Sequence, residues 1–165
     1  MSINKCKIGG IVAEVPKRMN SLFYGDVLEI RLDINRKDID KIEHVTCLIV
    51  DKELIERAMN TIGVGDYLFC FGHFVSLEYK RKQLVKCPHC GKEGYRMRKA
   101  QNTDIILRDF EVTKGIDLSD SDGVNRVVLT GVVNNPIQQR EGHNRFQIVN
   151  NRPIQAQQHL MEIVT

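Results

Sequence analysis

From Leu28 to Ile34 the chain alternates strictly, Leu28-Glu29-Ile30-Arg31-Leu32-Asp33-Ile34. That period places apolar residues on one face and charged ones on the other, as in a β-strand half in a core and half in water. A second strand pattern starts at the turn Gly65-Asp66 and runs through Tyr67-Leu68-Phe69-Cys70-Phe71-Gly72-His73-Phe74-Val75. Residues 4–15 are also strand-like, with paired glycines at Gly9-Gly10 where a curved strand can bend. Pro16 to Ser21 reads as a break. Residues 45–50 and 103–112 supply two more apolar runs. Between them Asp51 opens a helical pattern with Leu54, Ile55, Ala58 and Met59 on one face, and Gly63 and Gly65 close it.

Three strands, a short helix and two strands make a mainly β protein. The order is that of a five-stranded OB barrel with its helix between the third and fourth strands, although SH3-like and other small barrels share parts of it. The expected domains are an OB unit over 1–115, a polar linker at 116–124 and a partial OB-like hairpin over 125–165. A knuckle-like hairpin is inserted at about 84–101.

Composition narrows the function. A chain of 165 residues buries one good core and a small appendage. It has no bilayer-length apolar run and no signal-peptide pattern, so a cytoplasmic protein is expected. Net charge is only +3, yet residues 76–100 hold eight Lys or Arg against two Glu. A local positive field of this kind suggests a binding face. Aromatic faces for bases beside cations for phosphates are what a single-stranded nucleic acid needs. The candidate contacts are Phe23, Tyr24, Tyr79 and Tyr95 for stacking, with Lys80, Arg81, Lys82, Lys86, Arg96, Arg98 and Lys99 for phosphates. Tyr67, Phe69 and Phe71 share one face and serve either the core or the ligand.

Five cysteines are an odd number, and Cys87-Pro88-His89-Cys90-Gly91 has the form of half a zinc ribbon. Two further ligands must come from elsewhere, for instance from a neighbouring chain, or the turn stands without metal. Cys70/His73 and His44/Cys47 have zinc-like spacing, but on strands such pairs point to opposite faces. No cysteine sits in a nucleophile-base arrangement, so catalysis is not expected. Cys6 and Cys47 fit buried strand positions.

Asn4-Lys5-Cys6-Lys7-Ile8-Gly9-Gly10-Ile11-Val12, then Leu32-Asp33-Ile34-Asn35-Arg36, then Gly65-Asp66-Tyr67-Leu68-Phe69-Cys70-Phe71-Gly72, in this order and spacing, resemble the bacterial single-stranded-DNA-binding protein family. The resemblance covers about residues 4–114. It implies an OB fold, sequence-tolerant binding of single-stranded DNA in replication, recombination or transfer, and a tendency to oligomerise. The chain departs from the family in having no Trp, so Tyr or Phe would stack the bases. Its residues 157–165 do not resemble the family's acidic, apolar-tipped tail, so partner recruitment by that route is not expected, and the Cys-Pro-His-Cys insertion is a variant that would suit a phage, plasmid or other mobile element. The leading alternative is a protein-interaction OB module of a replisome or primosome.

Asn125-Arg126-Val127-Val128-Leu129-Thr130-Gly131-Val132-Val133 aligns without gaps on residues 4–12, and Asn151-Arg152 echoes Asn35-Arg36. The C-terminal segment thus reads as the opening of a second OB unit that never finishes. Its strand edges and its apolar Val127, Leu129, Val132, Ile148 and Val149 are expected to dock on the chain's own barrel or to join chains.

Overall fold

The computed structural model describes residues 3–37, 40–121, 123–133, 138–140, 143–151 and 158–164. Along the chain run β1 (Asn4–Val12), β2 (Lys17–Ser21), β3 (Gly25–Arg36), β4 (Lys41–Ile49), α1 (Lys52–Thr61), β5 (Tyr67–Lys86), β6 (Glu93–Thr113), β7 (Val124–Leu129), β8 (Val132–Val133), β9 (Gln138–Arg140), β10 (His143–Asn151) and β11 (Gln158–Val164). Two compact units emerge. One joins Met1–Val75 to Asp104–Gly131, and the other joins Ser76–Thr103 to Val132–Thr165.

In the first unit the alternating strands close on themselves. β1 pairs with β5 from Cys6↔Gly72 to Ile11↔Tyr67, and its end pairs with β3 at Ile11↔Asp33 and Val12↔Leu32. β3 pairs with β4, β4 meets β6 in parallel at Leu48↔Ile106, and β6 returns beside β5. The ring β1-β3-β4-β6-β5-β1, with α1 between its third and fourth strands, is an OB barrel. Ile8, Leu28, Ile30, Leu32, Ile34, Cys47, Ile49, Ile55, Leu68 and Cys70 fill it and are inaccessible to solvent. Such closure needs bare backbone at the crossings. A Cβ on Gly10 would lie 2.7 Å from the Asp33 carbonyl oxygen, and one on Gly72 2.5 Å from that of Ile106.

The Asp51 side chain caps α1 by accepting from Leu54 N–H at 2.9 Å, and Leu54, Ile55 and Ala58 are buried. Met59 is not; it is 48% exposed, because the buried stripe is narrower than the periodicity suggests. The break at Pro16 to Ser21 is instead a strand. β2 pairs with the start of β3 from Lys17↔Glu29 to Ser21↔Gly25, and its polar residues stay in water, so no burial alternation betrays it. The polar stretch after Gly115 is a turn packed on the barrel. Asn35 Nδ2 donates to Leu118 O at 3.1 Å, Ser121 is buried, and a Cβ on Gly123 would lie 2.2 Å from Asn35 O. Asp122, within that stretch, lies outside the described residues.

β7 adds to the free edge of β1, from Asn4↔Leu129 to Gly9↔Val124. Its valines do not sink into a core: Val127 is 40% and Val132, after it, 74% exposed. The attachment is a backbone ladder rather than apolar docking, and the side chain of Val149 lies outside the described residues. In the second unit β8, β9 and β11 all pair with β10. Their registers repeat those of the barrel. With Ile11 and Val12 equated to Val132 and Val133, the pairs Ile11↔Asp33 and Val12↔Leu32 become Val132↔Val149 and Val133↔Ile148. By the same shifts Met19↔Val27 becomes Arg140↔His143, and Leu32↔Val45 becomes Ile148↔Met161. The described strands β7 to β11 therefore repeat the order and pairing of β1, β2, β3 and β4.

Candidate nucleic-acid interface

Burial of Leu68 and Cys70 settles which face of β5 turns outward. Tyr67, Phe69 and Phe71 stand on the opposite face, each half-buried. Residues opposite one another in an antiparallel ladder share a face, so the β1 and β7 registers bring further groups beside these rings. Lys7 lies opposite Phe71 on one side and Arg126 on the other; Gly9 lies opposite Phe69 and Val124. Lys7 Nζ is 5.7 Å from the centroid of the Phe71 ring, within cation–π reach. Phe69 and Phe71 meet edge to face at 5.0 Å. Gly9 is bare because the rings lie over it: a Cβ there would meet the Tyr67 hydroxyl at 2.3 Å. Lys7 and Arg126 were not among the sequence-derived contacts. The repeated doublet, Asn4-Lys5 and Asn125-Arg126, was the only trace of Arg126, and nothing in the pattern singled out Lys7.

Phe23 and Tyr24 occupy the tight turn between β2 and β3, with Phe23 39% exposed and the rings edge to face at 6.4 Å. Tyr24 is half-buried, and its hydroxyl donates to Asp104 Oδ2 at 3.0 Å. Burial, with the Asp104 charge beside it, pushes its phenol far above the usual range. Of the two rings Phe23 is the freer to meet a base.

The second unit carries the basic hairpin, where β5 and β6 run on past the barrel residues. Lys80, Arg81, Lys82 and Lys86 on β5 and Arg96, Arg98 and Lys99 on β6 are all exposed. Tyr95 is 76% exposed and Tyr79 half-buried. Arg98 donates to Gln83 Oε1 at 3.2 Å. Among the described residues none of these cations forms a salt bridge. Four arginines of the barrel are paired: Arg18 with Asp26 and Glu56, Arg31 with Glu14 and Glu29, Arg36 with Glu43, and Arg57 with Asp109. The hairpin's field is therefore uncompensated.

The cysteines fall into two populations. Cys6, Cys47 and Cys70 are buried in the barrel, and burial raises all three thiols, Cys6 to about 11 and Cys47 to about 12. His44 is engaged by Asp33 at 2.6 Å, and buried His73 receives a hydrogen bond from Arg108. The pairs Cys70/His73 and His44/Cys47 thus build no site. Cys87 and Cys90 form the hairpin tip, and among the described residues no cluster of three or more metal ligands occurs.

A closed five-stranded barrel with a helix between its third and fourth strands in chain order is an OB fold. No family model matches the sequence, and no curated protein matches it. Among solved structures the chain is similar to the single-stranded DNA binding protein from Thermus aquaticus. Against a deletion mutant of that protein the identity is 12%, the match covers 99% of this chain and 75% of that one, and the TM-score is 0.61. Against the wild-type structure the identity is again 12%, with 99% and 73% covered and a TM-score of 0.58. At this identity the likeness is one of fold, the OB fold of single-stranded-DNA-binding proteins.

Proposed function

We propose that this protein binds single-stranded DNA without sequence preference and protects it during replication, recombination or transfer, as a binder rather than an enzyme. The observation that carries the reading is the hairpin's set of exposed cations without carboxylate partners among the described residues, in a chain where four of the barrel arginines are ion-paired. Uncompensated cations spaced along a strand suit a phosphate backbone, whose condensed counterions they release. The rings of Phe69 and Phe71, edged by Lys7 and Arg126, supply the stacking surface that makes such binding tolerant of sequence.

Titration of fluorescent single-stranded oligonucleotides of several sequences, with RNA and duplex competitors, tests the reading. Similar affinities across DNA sequences, a steep salt dependence and weak duplex competition are expected. Phe71→Ala should cost about 1–3 kcal/mol of affinity, the usual worth of one stacked base, with little change in thermal midpoint. Binding that is insensitive to salt and to Phe71→Ala would instead point to a module that docks proteins.

A further inference from the structure

Free cysteines are among the most buried residue types, and three of the five here obey that rule. Cys87 and Cys90 break it together, at one solvent-facing turn. The turn is tightly specified. Cys87 N–H donates to Lys92 O and Gly91 N–H to Cys87 O, each at 2.9 Å, and Gly91 takes φ +70°, a conformation costly to any residue with a Cβ. A tight Cys-x-x-Cys turn that holds two thiols outside the core suits a soft metal rather than a packing contact.

The geometry points to a zinc site shared by two copies of this chain, each giving Cys87 and Cys90. Zinc in structural sites takes four ligands in a tetrahedron. No third ligand gathers at the turn among the described residues, His89 included. Among the described residues Cys6, Cys47 and Cys70 are sealed in the barrel, His73 is buried, and His44 belongs to no cluster of three metal ligands. A second identical turn completes the set. On binding, four thiols release four protons to solvent, and one Zn²⁺ with four thiolates carries a net charge of 2−. Lys86 and Lys92, exposed beside the turn in each copy, offset that charge.

Zinc content, measured on protein purified without chelator and then dialysed with ZnCl₂ followed by metal-free buffer, should be about one ion per two chains. Sedimentation should show a species that halves in mass when a strong zinc chelator is added and re-forms on returning ZnCl₂. Cys87→Ser and Cys90→Ser should each abolish both the metal and the chelator response. Oligonucleotide binding and thermal midpoint report that these variants still fold. Three outcomes would overturn the proposal: no retained zinc, one zinc per chain, or an assembly unchanged by chelation in protein that does hold zinc. A Cys87–Cys90 disulfide in the isolated, zinc-free protein would likewise replace the site with a redox pair.

Discussion

The charge on the hairpin can be tested by removing Lys80 and Lys82. Both are exposed, and strand alternation puts them on the same face of β5, with Arg81 on the other. Each phosphate neutralised on a single strand contributes about 0.7 to the slope of log affinity against log salt. If the DNA backbone tracks that face, Lys80→Ala with Lys82→Ala should flatten the slope by about 1.4, similarly for all sequences. Arg81→Ala alone should leave it nearly unchanged, because one strand lying along one face does not meet both. Neither variant should shift the thermal midpoint, since none of the three cations holds a salt bridge among the described residues. The assay is fluorescence anisotropy of a labelled single-stranded oligonucleotide at several NaCl concentrations, with the melting curve as control. An unchanged slope in the double variant, with folding intact, would refute the reasoning. A slope lost through Arg81→Ala instead would move the path to the opposite face.

Closure of the barrel gives a stability test. Gly72→Ala places a methyl 2.5 Å from the Ile106 carbonyl oxygen and 3.3 Å from Cys6 Sγ, and since a backbone atom does not rotate aside, overpacking of about 1–3 kcal/mol is expected. The urea midpoint reads it, and an unshifted midpoint would show that the crossing is looser than described. Asp66 gives a pH test. Its carboxylate accepts from Gly63 N–H at 2.8 Å and from Lys114 Nζ at 3.3 Å, which together hold it below the ordinary carboxylate range. A group whose folded pKa is depressed contributes stability that is present above the unfolded value, about 3.9, and lost as pH falls through the folded one. Thermal midpoints should therefore drop less between pH 6 and pH 3 in Asp66→Asn than in the unaltered protein, whereas parallel curves would remove Asp66 from the account.

Strands 28–34 and 67–71 could be read because each has one face in a core, and α1 because Asp51 and the apolar stripe agree on where it starts. β2 could not, since a polar hairpin on the outside of a barrel has no burial pattern to show. Tyr67, Phe69 and Phe71 were legible as one face. Whether that face was core or surface depended on the burial of Leu68 and Cys70, which is decided by the whole ring. The concentration of cations between 76 and 100 was plain in the composition. Their lack of carboxylate partners was not, because ion pairs such as Arg57–Asp109 join residues far apart in sequence.

The partner of β7 was also hidden, since a backbone ladder leaves no side-chain signature, but its register explains the sequence repeat. Asn125 is the counterpart of Asn4 and Leu129 that of Ile8; in the ladder Asn4 faces Leu129 and Ile8 faces Asn125, with Cys6 opposite its own counterpart Val127. This is the register two copies of one strand adopt about a twofold axis, an isologous contact made here within a single chain. Symmetry then fixes the chemistry of the outer face. The second position of the repeat is Lys5 in one strand and Arg126 in the other, and the fourth is Lys7 and Val128, so the pairs Lys5↔Val128 and Lys7↔Arg126 are the same pair seen twice. Alternation puts all four on one side of the ladder, the side on which Phe69 and Phe71 stand. A single short element, used twice and paired with itself, thus closes the edge of the barrel and lays a row of cations beside its aromatic rings.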